Sequence, residues 1–541
     1  MSSRFVPVVA GVTAAALVAA CAVGPDYERP AAPEATRYTR EPLGARTTGA
    51  PAAFGEPQKF IQDMDIPSQW WGVFHSRELD TLVERSIKAN PSLEQAIGAL
   101  RVAEENTRAQ EGKFFPLVQG NYNVNNQLVP ASLSSPLSSG ASTFNLYTAQ
   151  LQVSYTFDVW GLNRRLVESL QAQADSQHFL VEAAYLTLTS NLVLGAINEA
   201  SLREQISTTV ELINVNSKMR DTLKRQFDLG QVTRIDLAAQ EAQLAQVEAT
   251  LPPLRKALAQ QRDAITALAG RYPSEEPPEK FTLAKFRLPR NLPVSLPSKL
   301  IGQRPDVRSA DELLHSAAAQ VGVSIANILP NFTLTGMGGY TSPQSQLANL
   351  ISPNSAFWSV TNGVTQTVFD AGTLLHQKRA AEDAYDQAAA GYRSAVITAL
   401  QNVADALRAI QQDAHALKAA VDFERAAKIQ FDLVRQQMLT GYANILLLLN
   451  AQQTYLQARL AVVQAQAARL ADTAALFQAL GGGWWNRPPD SPTAPIYIDA
   501  DKQPIGTFAT QPPERQPPWA IPEPPPPHPG PVVVPAADSP H

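Results

Sequence analysis

The sequence predicts a mainly α-helical chain with a transmembrane β part, made of two structural repeats. Three observations point there. One unit occurs twice along the chain, and each copy holds a helical stretch far longer than an ordinary globular helix. Each copy also carries a pair of segments whose polarity alternates residue by residue.

The repeat orders everything else. Asn90-Pro91-Ser92-Leu93 and Arg304-Pro305-Asp306-Val307 each open a helix, with proline in the first turn, where its missing N–H had no partner anyway. Pro116 and Pro330 follow at equal distances. Phe157-Asp158-Val159-Trp160-Gly161 then matches Phe369-Asp370-Ala371-Gly372. Further on, Arg225-Gln226 through Gly230 matches Arg435-Gln436 through Gly441, and Ala239-Gln240 matches Ala451-Gln452. These landmarks recur in one order at offsets of roughly 212 residues. Residues 76–270 form the first copy, with a hairpin at 117–157. Residues 304–480 form the second, with a hairpin at 331–369.

Within each copy the order is helix, strand, loop, strand, very long helix, glycine turn, returning helix. In the first hairpin Tyr147, Ala149, Leu151, Val153, Tyr155 and Phe157 alternate with Thr148, Gln150, Gln152, Ser154 and Thr156, and Val118, Tyr122 and Val124 alternate with Gln119, Asn121, Asn123 and Asn125. In the second, Phe332, Leu334 and Tyr340 alternate with Thr333 and Thr335. Residues 358–369 supply a weaker fourth strand. Lengths of roughly 10 to 12 residues suit a tilted strand crossing a membrane, with lipid on the apolar face and water on the uncharged polar face. Two half-buried hairpins of a soluble sandwich would show the same alternation.

Residues 162–229 contain no proline and only Gly195, and residues 373–440 contain only Gly391. About 68 residues at 1.5 Å each make a helix of roughly 100 Å. In the second of these, Val396, Leu400, Val403, Leu407, Ile410, Ala414, Leu417 and Val421 step by four and three, a heptad seam for helix-on-helix packing. Leu188, Leu192, Leu202, Ile206 and Ile213 repeat it less regularly in the first.

The flanking segments carry other signals. Residues 1–20, with Arg4 and then an apolar run, form a secretory signal, too short for a convincing membrane span. It ends Leu17-Val18-Ala19-Ala20-Cys21, which resembles a bacterial lipobox. Cleavage would then precede Cys21, and the new N-terminus would be acylated; an ordinary signal with a chance cysteine is the alternative. Ala22, rather than aspartate, follows, which by resemblance to Gram-negative lipoproteins favours the outer membrane. Residues 21–75 make a lipid anchor and extended strap, the proline-rich residues 271–303 a linker or belt between repeats, and residues 481–541 a proline-rich tail.

Composition removes several functions. The net charge of -5, from 44 basic and 49 acidic residues, leaves no basic excess for nucleic acid. One cysteine excludes an intrachain disulfide and a multi-cysteine metal site. His75, His178, His315, His376, His415, His528 and His541 are scattered, without ligand spacing. No nucleophile elbow, phosphate loop or localised carboxylate dyad points to an enzyme. No cofactor is expected beyond the covalent lipid on Cys21.

Four strands cannot close a barrel, and open strand edges cannot face lipid. The chain must share a barrel with copies of itself, and two copies or three would serve. The segment Cys21-Ala22-Val23-Gly24-Pro25-Asp26-Tyr27-Glu28-Arg29-Pro30, then Trp70-Trp71, then Arg304-Pro305-Asp306-Val307, resembles the lipoprotein branch of the TolC-like outer membrane factors that accompany resistance-nodulation-division pumps. The resemblance covers about residues 21–486. It implies a homotrimer forming a 12-stranded β-barrel above an α-helical coiled-coil barrel, docked to a periplasmic adaptor and an inner-membrane pump, passing drugs or other small molecules outward.

The resemblance also implies a closed periplasmic tip at the two glycine turns, Gly230 to Asp236 and Gly441 to Asn450. Members of the family commonly carry aspartate where this chain has Asn450. Leu446 and Leu447 just before it would form a ring that excludes water, unless both are core residues of the coiled coil. Asp236 resembles an inner aspartate that latches the closed state, or serves only its helix start. A protein-secretion duct and a non-channel periplasmic coiled-coil lipoprotein are the rival readings.

Overall fold

The computed structural model describes residues 22–33, 35, 37–130, 142–342 and 350–488. The expected signal segment 1–20 and expected lipidation site Cys21, most of both hairpin loops and the tail beyond residue 488 lie outside them.

The first repeat opens with α1 (Arg77–Ala89) and α2 (Pro91–Glu111). Asn90 separates them, and its Oδ1 accepts from the backbone N–H groups of Ser92 at 2.9 Å and Leu93 at 3.2 Å, with Pro91 in the first turn. Strands β2 (Leu117–Val129) and β3 (Ser142–Phe157) follow, then the long α3 (Leu162–Asp228) and the returning α4 (Arg234–Leu268). The second repeat begins after the short α5 (Pro297–Gln303). It runs α6 (Pro305–Ala326), β5 (Asn331–Ser342), β6 (Ala356–Thr365), long α7 (Thr373–Leu439) and returning α8 (Ile445–Ala479).

The repeated Phe-Asp motif is a strand-to-helix junction. Asp158 accepts from the N–H groups of Asn163 at 2.9 Å and Arg164 at 3.0 Å, capping α3; Asp370 accepts from Gly372 at 3.0 Å and Leu374 at 2.8 Å, capping α7. Gly161 and Gly372 stand at φ of 77° and 89°, which lets the chain leave the sheet and enter the helix within a few residues. Each long helix ends in a paired-bond turn. Gln231 N–H donates to Gln226 O and Gly230 N–H to Phe227 O, both at 2.8 Å; Tyr442 N–H donates to Gln437 O at 2.8 Å and Gly441 N–H to Met438 O at 3.1 Å.

All four long strands join one antiparallel sheet in the order β2-β3-β5-β6. The fourth strand lies earlier than its sequence suggests, ending at Thr365 rather than Phe369. Its partner β5 begins at Asn331, paired with Thr365, and Pro330 before it has no N–H to extend the ladder. Residues 366–372 instead turn into the α7 cap.

Packing follows the seam. Val396, Val403, Leu407, Ile410, Ala414, Leu417 and Val421 are buried, while Leu400 is half-buried. In α3 the seam is patchier: Leu188 and Leu192 are buried, Leu202, Ile206 and Ile213 only partly. There Ala196, Ala200, Thr208 and Thr209 take the buried positions, so helices approach over small side chains. One stretch of α3 is apolar enough to cross a bilayer, but most of it is buried against its neighbours. The core centres on Trp70, Trp71, Phe74 and Phe477, with Trp70 stacked on Phe477 at 5.9 Å. Over it lie the strap and the inter-repeat linker, joined by a parallel pairing of β1 (Lys59–Gln62) with β4 (Asn291–Val294).

Candidate pore wall and helical tip

Three places carry chemistry suited to a duct: the faces of the sheet, the turns at the far ends of the long helices, and the point where the chain emerges from Cys21.

Register sorts the sheet into two unlike faces. On one, Val118, Tyr122 and Val124 of β2 lie beside Val153, Ala149 and Tyr147 of β3, and further across Val360 and Trp358 of β6 lie beside Gly336 and Gly338 of β5. Val118, Tyr122, Leu151, Trp358, Val360 and Val364 are exposed large apolar side chains, which water would penalise and lipid would accept. On the other face Gln119 lies beside Gln152, Asn121 beside Gln150 and Thr335 beside Thr361. Thr148 and Thr341 meet across β3 and β5 with hydroxyls 3.2 Å apart. None of β2, β3, β5 or β6 contains an ionisable acid, lysine, arginine or histidine. Amides and hydroxyls both donate and accept, so this wall favours neither sign of charge.

At the tips, Gly230 and Gly441 occupy left-handed positions that close the long helices. Thr233 and Asp236 then form a capping box on α4. Thr233 Oγ1 accepts from the Asp236 N–H at 3.3 Å, and Asp236 Oδ2 accepts from the Thr233 N–H at 2.9 Å and hydroxyl at 2.7 Å. The hydroxyl first, and then the backbone N–H, hold the Asp236 carboxyl below the usual carboxylate range. Within one chain, therefore, Asp236 serves its own helix start. On α8, Asn444 caps by accepting from the Leu447 N–H at 2.9 Å. The leucine run divides by face. Leu448 is fully buried with Phe431, Val434 and Ala451, whereas Leu446 is 62% exposed and Leu447 42%. Asn450 is exposed beyond them.

The start of the described chain is pinned to the base of the sheet. Val23 N–H donates to Trp160 O at 3.0 Å. The buried Arg165 donates to Val23 O at 3.2 Å, Gly24 O at 3.4 Å and Asp26 Oδ1 at 2.7 Å. Ala22 and Val23 thereby lie at the junction of β3 and α3. Sequence reasoning passed over Arg165, and read Asp158 and Asp370 only as repeat landmarks, not as helix caps. The two aspartates had a signal, since each stands two or three residues before a glycine that opens a long helix; Arg165 had none. Among the described residues no cluster of three or more histidine, cysteine, aspartate or glutamate side chains is placed to hold a metal.

Comparison with known proteins bears on this arrangement directly. The profile of the family described as "Outer membrane efflux protein" matches residues 82–271 and 296–482, one stretch on each repeat. The antibiotic efflux pump outer membrane protein ArpC of Pseudomonas putida is 27% identical over 483 residues, covering 87% of this chain and 94% of that protein. The pyoverdine export outer membrane protein OpmQ of Pseudomonas putida is 28% identical over 459 residues, covering 82% and 94%. The fold is similar to the crystal structure of the CmeC outer membrane channel of Campylobacter jejuni, with a TM-score of 0.76 at 22% identity over 86% of this chain and 95% of that one. Such strands and such relatives leave no room for a coiled-coil spacer without a pore. With both of its repeats matched, the chain belongs to the outer membrane efflux protein family, and it is an outer-membrane efflux channel, a duct and not an enzyme.

Proposed function

We propose that the channel works as a homotrimer, lipid-anchored through Cys21, that forms the passive exit duct of a tripartite pump with a periplasmic adaptor and an inner-membrane resistance-nodulation-division transporter. One observation carries the trimer: an open four-stranded sheet with one lipid-compatible and one water-compatible face, whose edge strands β2 and β6 have no partner among the described residues. Unpaired edges in hydrocarbon cost several kcal/mol per group. Three copies close about twelve strands around a lumen wide enough for water and solutes, where two copies close a barrel that side chains fill.

Cargo is small molecules driven from below. Relatives named for antibiotics and for pyoverdine resemble this chain about equally, and an uncharged wall has no means of choosing between such compounds. At the tip, three copies each of Leu446 and Leu447 gather into an apolar constriction that closes by excluding water, with Asn450 behind it. Asp236 acts as latch through the carboxyl oxygen that its capping box does not use. Acyl chains on Cys21 anchor the chain in the membrane leaflet facing the periplasm. Mass measurement on the detergent-solubilised protein tests the assembly: trimers support this reading, and a stable monomer contradicts it.

A further inference from the structure

Where the sheet gives way to the helices, the two outer edges of the chain are unlike. Just past β6 stand Val368 and Phe369, 93% and 86% exposed. Both ends of this segment are tied down. Gln366 Nε2 donates to Ile328 O at 2.8 Å, and Asp370 caps α7 by accepting from Gly372 and Leu374. Two large apolar side chains are thereby held in place with almost no cover from their own chain, an arrangement water penalises.

The other edge offers a hollow. A cavity of about 430 Å³ lies at the foot of β2 and β3, between the end of α2, the start of α3 and the end of α6. Phe115, Leu117, Phe157, Leu162 and Leu166 give it apolar walls, and Phe115, Leu117 and Phe157 are exposed. Asn163 also lines it. Its Oδ1 accepts from Gln110 at 2.6 Å, but its Nδ2 is buried without an acceptor. The cavity is therefore short of a carbonyl as well as of apolar contacts.

Topology brings the two edges together. β2 and β6 are the outer strands of the sheet; β2 runs away from the helices and β6 runs back towards them. In a barrel shared by copies, β6 of one therefore pairs antiparallel with β2 of the next, and the residues just past Thr365 come beside those just before Leu117. The duplicated chain holds a template for that contact. β3 pairs with β5 in the same sense, setting Phe157 opposite Phe332, and the Trp160 indole just past β3 donates to Pro330 O just before β5 at 2.8 Å. Phe157 is the repeat counterpart of Phe369, and Pro330 that of Pro116. Carried to the outer edges, this relation sets Phe369 of one copy beside the first residues of β2 in the next.

We propose that Val368 and Phe369 of each copy plug the cavity at the foot of β2 in the neighbouring copy, with Asn163 donating to a backbone carbonyl that enters with them. The plug rests on the shared barrel proposed above and adds a seal to it. Pro116 has no N–H with which to extend a ladder between copies below Leu117, so apolar contact closes the wall of the duct where strand pairing stops.

The test uses the full chain in detergent, carrying Phe115→Cys together with Val368→Cys. Both positions are exposed in their own chain, so neither change burdens its fold. A short bismaleimide should link such copies covalently, and neither single variant should be linked. Separately, Val368→Ser with Phe369→Ser should raise the share of monomer at limiting protein concentration roughly tenfold. Ile351→Ser, at an exposed apolar residue near the opposite end of the sheet, should leave that share unchanged. Wild-type trimers in which the cysteine pair gives no link between copies, or whose assembly ignores Val368→Ser with Phe369→Ser, would overturn the plug and leave the shared barrel standing. A wild type that stays monomeric would remove the shared barrel itself, and the plug with it.

Discussion

Consider alanine at Leu448 and, separately, at Leu446. The two residues stand two apart on α8, yet Leu448 is fully buried against Phe431, Val434 and Ala451, while Leu446 is 62% exposed. Truncating a buried leucine removes its transfer free energy and leaves a cavity, together about 2–5 kcal/mol. The tip cluster is small and near a turn, so the loss acts locally. At about 3 kcal/mol the tip opens on the order of a hundredfold more often. Truncating Leu446 removes a side chain that its own chain hardly covers, and should cost the fold under about 1 kcal/mol. Its effect falls on the apolar constriction instead. Hydrogen exchange over residues 431–455 reads the first effect, and single-channel conductance reads the second. Leu448→Ala should accelerate exchange strongly, whereas Leu446→Ala should raise conductance with little change in exchange. Equal acceleration by both, with conductance unchanged by Leu446→Ala, would refute the division of the leucine run into core and gate.

Removing the cap carboxylate with Asp158→Ala leaves the N–H groups of Asn163 and Arg164 without their acceptor and should cost about 1–2 kcal/mol, read as a lowered thermal midpoint. The two faces of the sheet predict opposite fates for one introduced charge. Val360→Lys, on the apolar face, should cost about 2–4 kcal/mol in each chain and reduce assembled protein in the membrane. Asn121→Lys, on the amide face, should assemble normally and shift the reversal potential in a salt gradient towards anions, with Asn121→Asp shifting it towards cations. Cys21→Ser should abolish the acyl mass on the mature chain and weaken its retention in the outer membrane, as fractionation and mass spectrometry would show.

Much of this fold is visible in the sequence because its signals are long and periodic. The heptad from Val396 to Val421 extends over seven helical turns, so one half-buried position, Leu400, does not obscure it. The alternation from Tyr147 to Phe157 survives because most positions on one side meet apolar or glycine neighbours and most on the other meet polar ones, with Ser342, Met337 and Leu117 among the exceptions. The fourth strand is misplaced by a few residues because Val368 and Phe369 look like a strand, while its end depends on Pro330, a residue on a different strand's approach. The tip is only half legible. Five consecutive apolar residues from Ile445 to Leu449 show no face, and only helix packing against Phe431 and Val434 separates Leu448 from Leu446. Arg469 is the least legible, since its partners at Thr47, Phe54, Glu56 and Gln58 lie more than 400 residues away.

The central claim is a gated duct through the outer membrane, and conductance across a planar bilayer of the purified, detergent-solubilised protein tests it most directly. Small, rarely opening channels in the wild type, with larger and more frequent openings in Leu446→Ser, are the predicted result. Absence of conductance in both, from protein shown to be inserted, would contradict it.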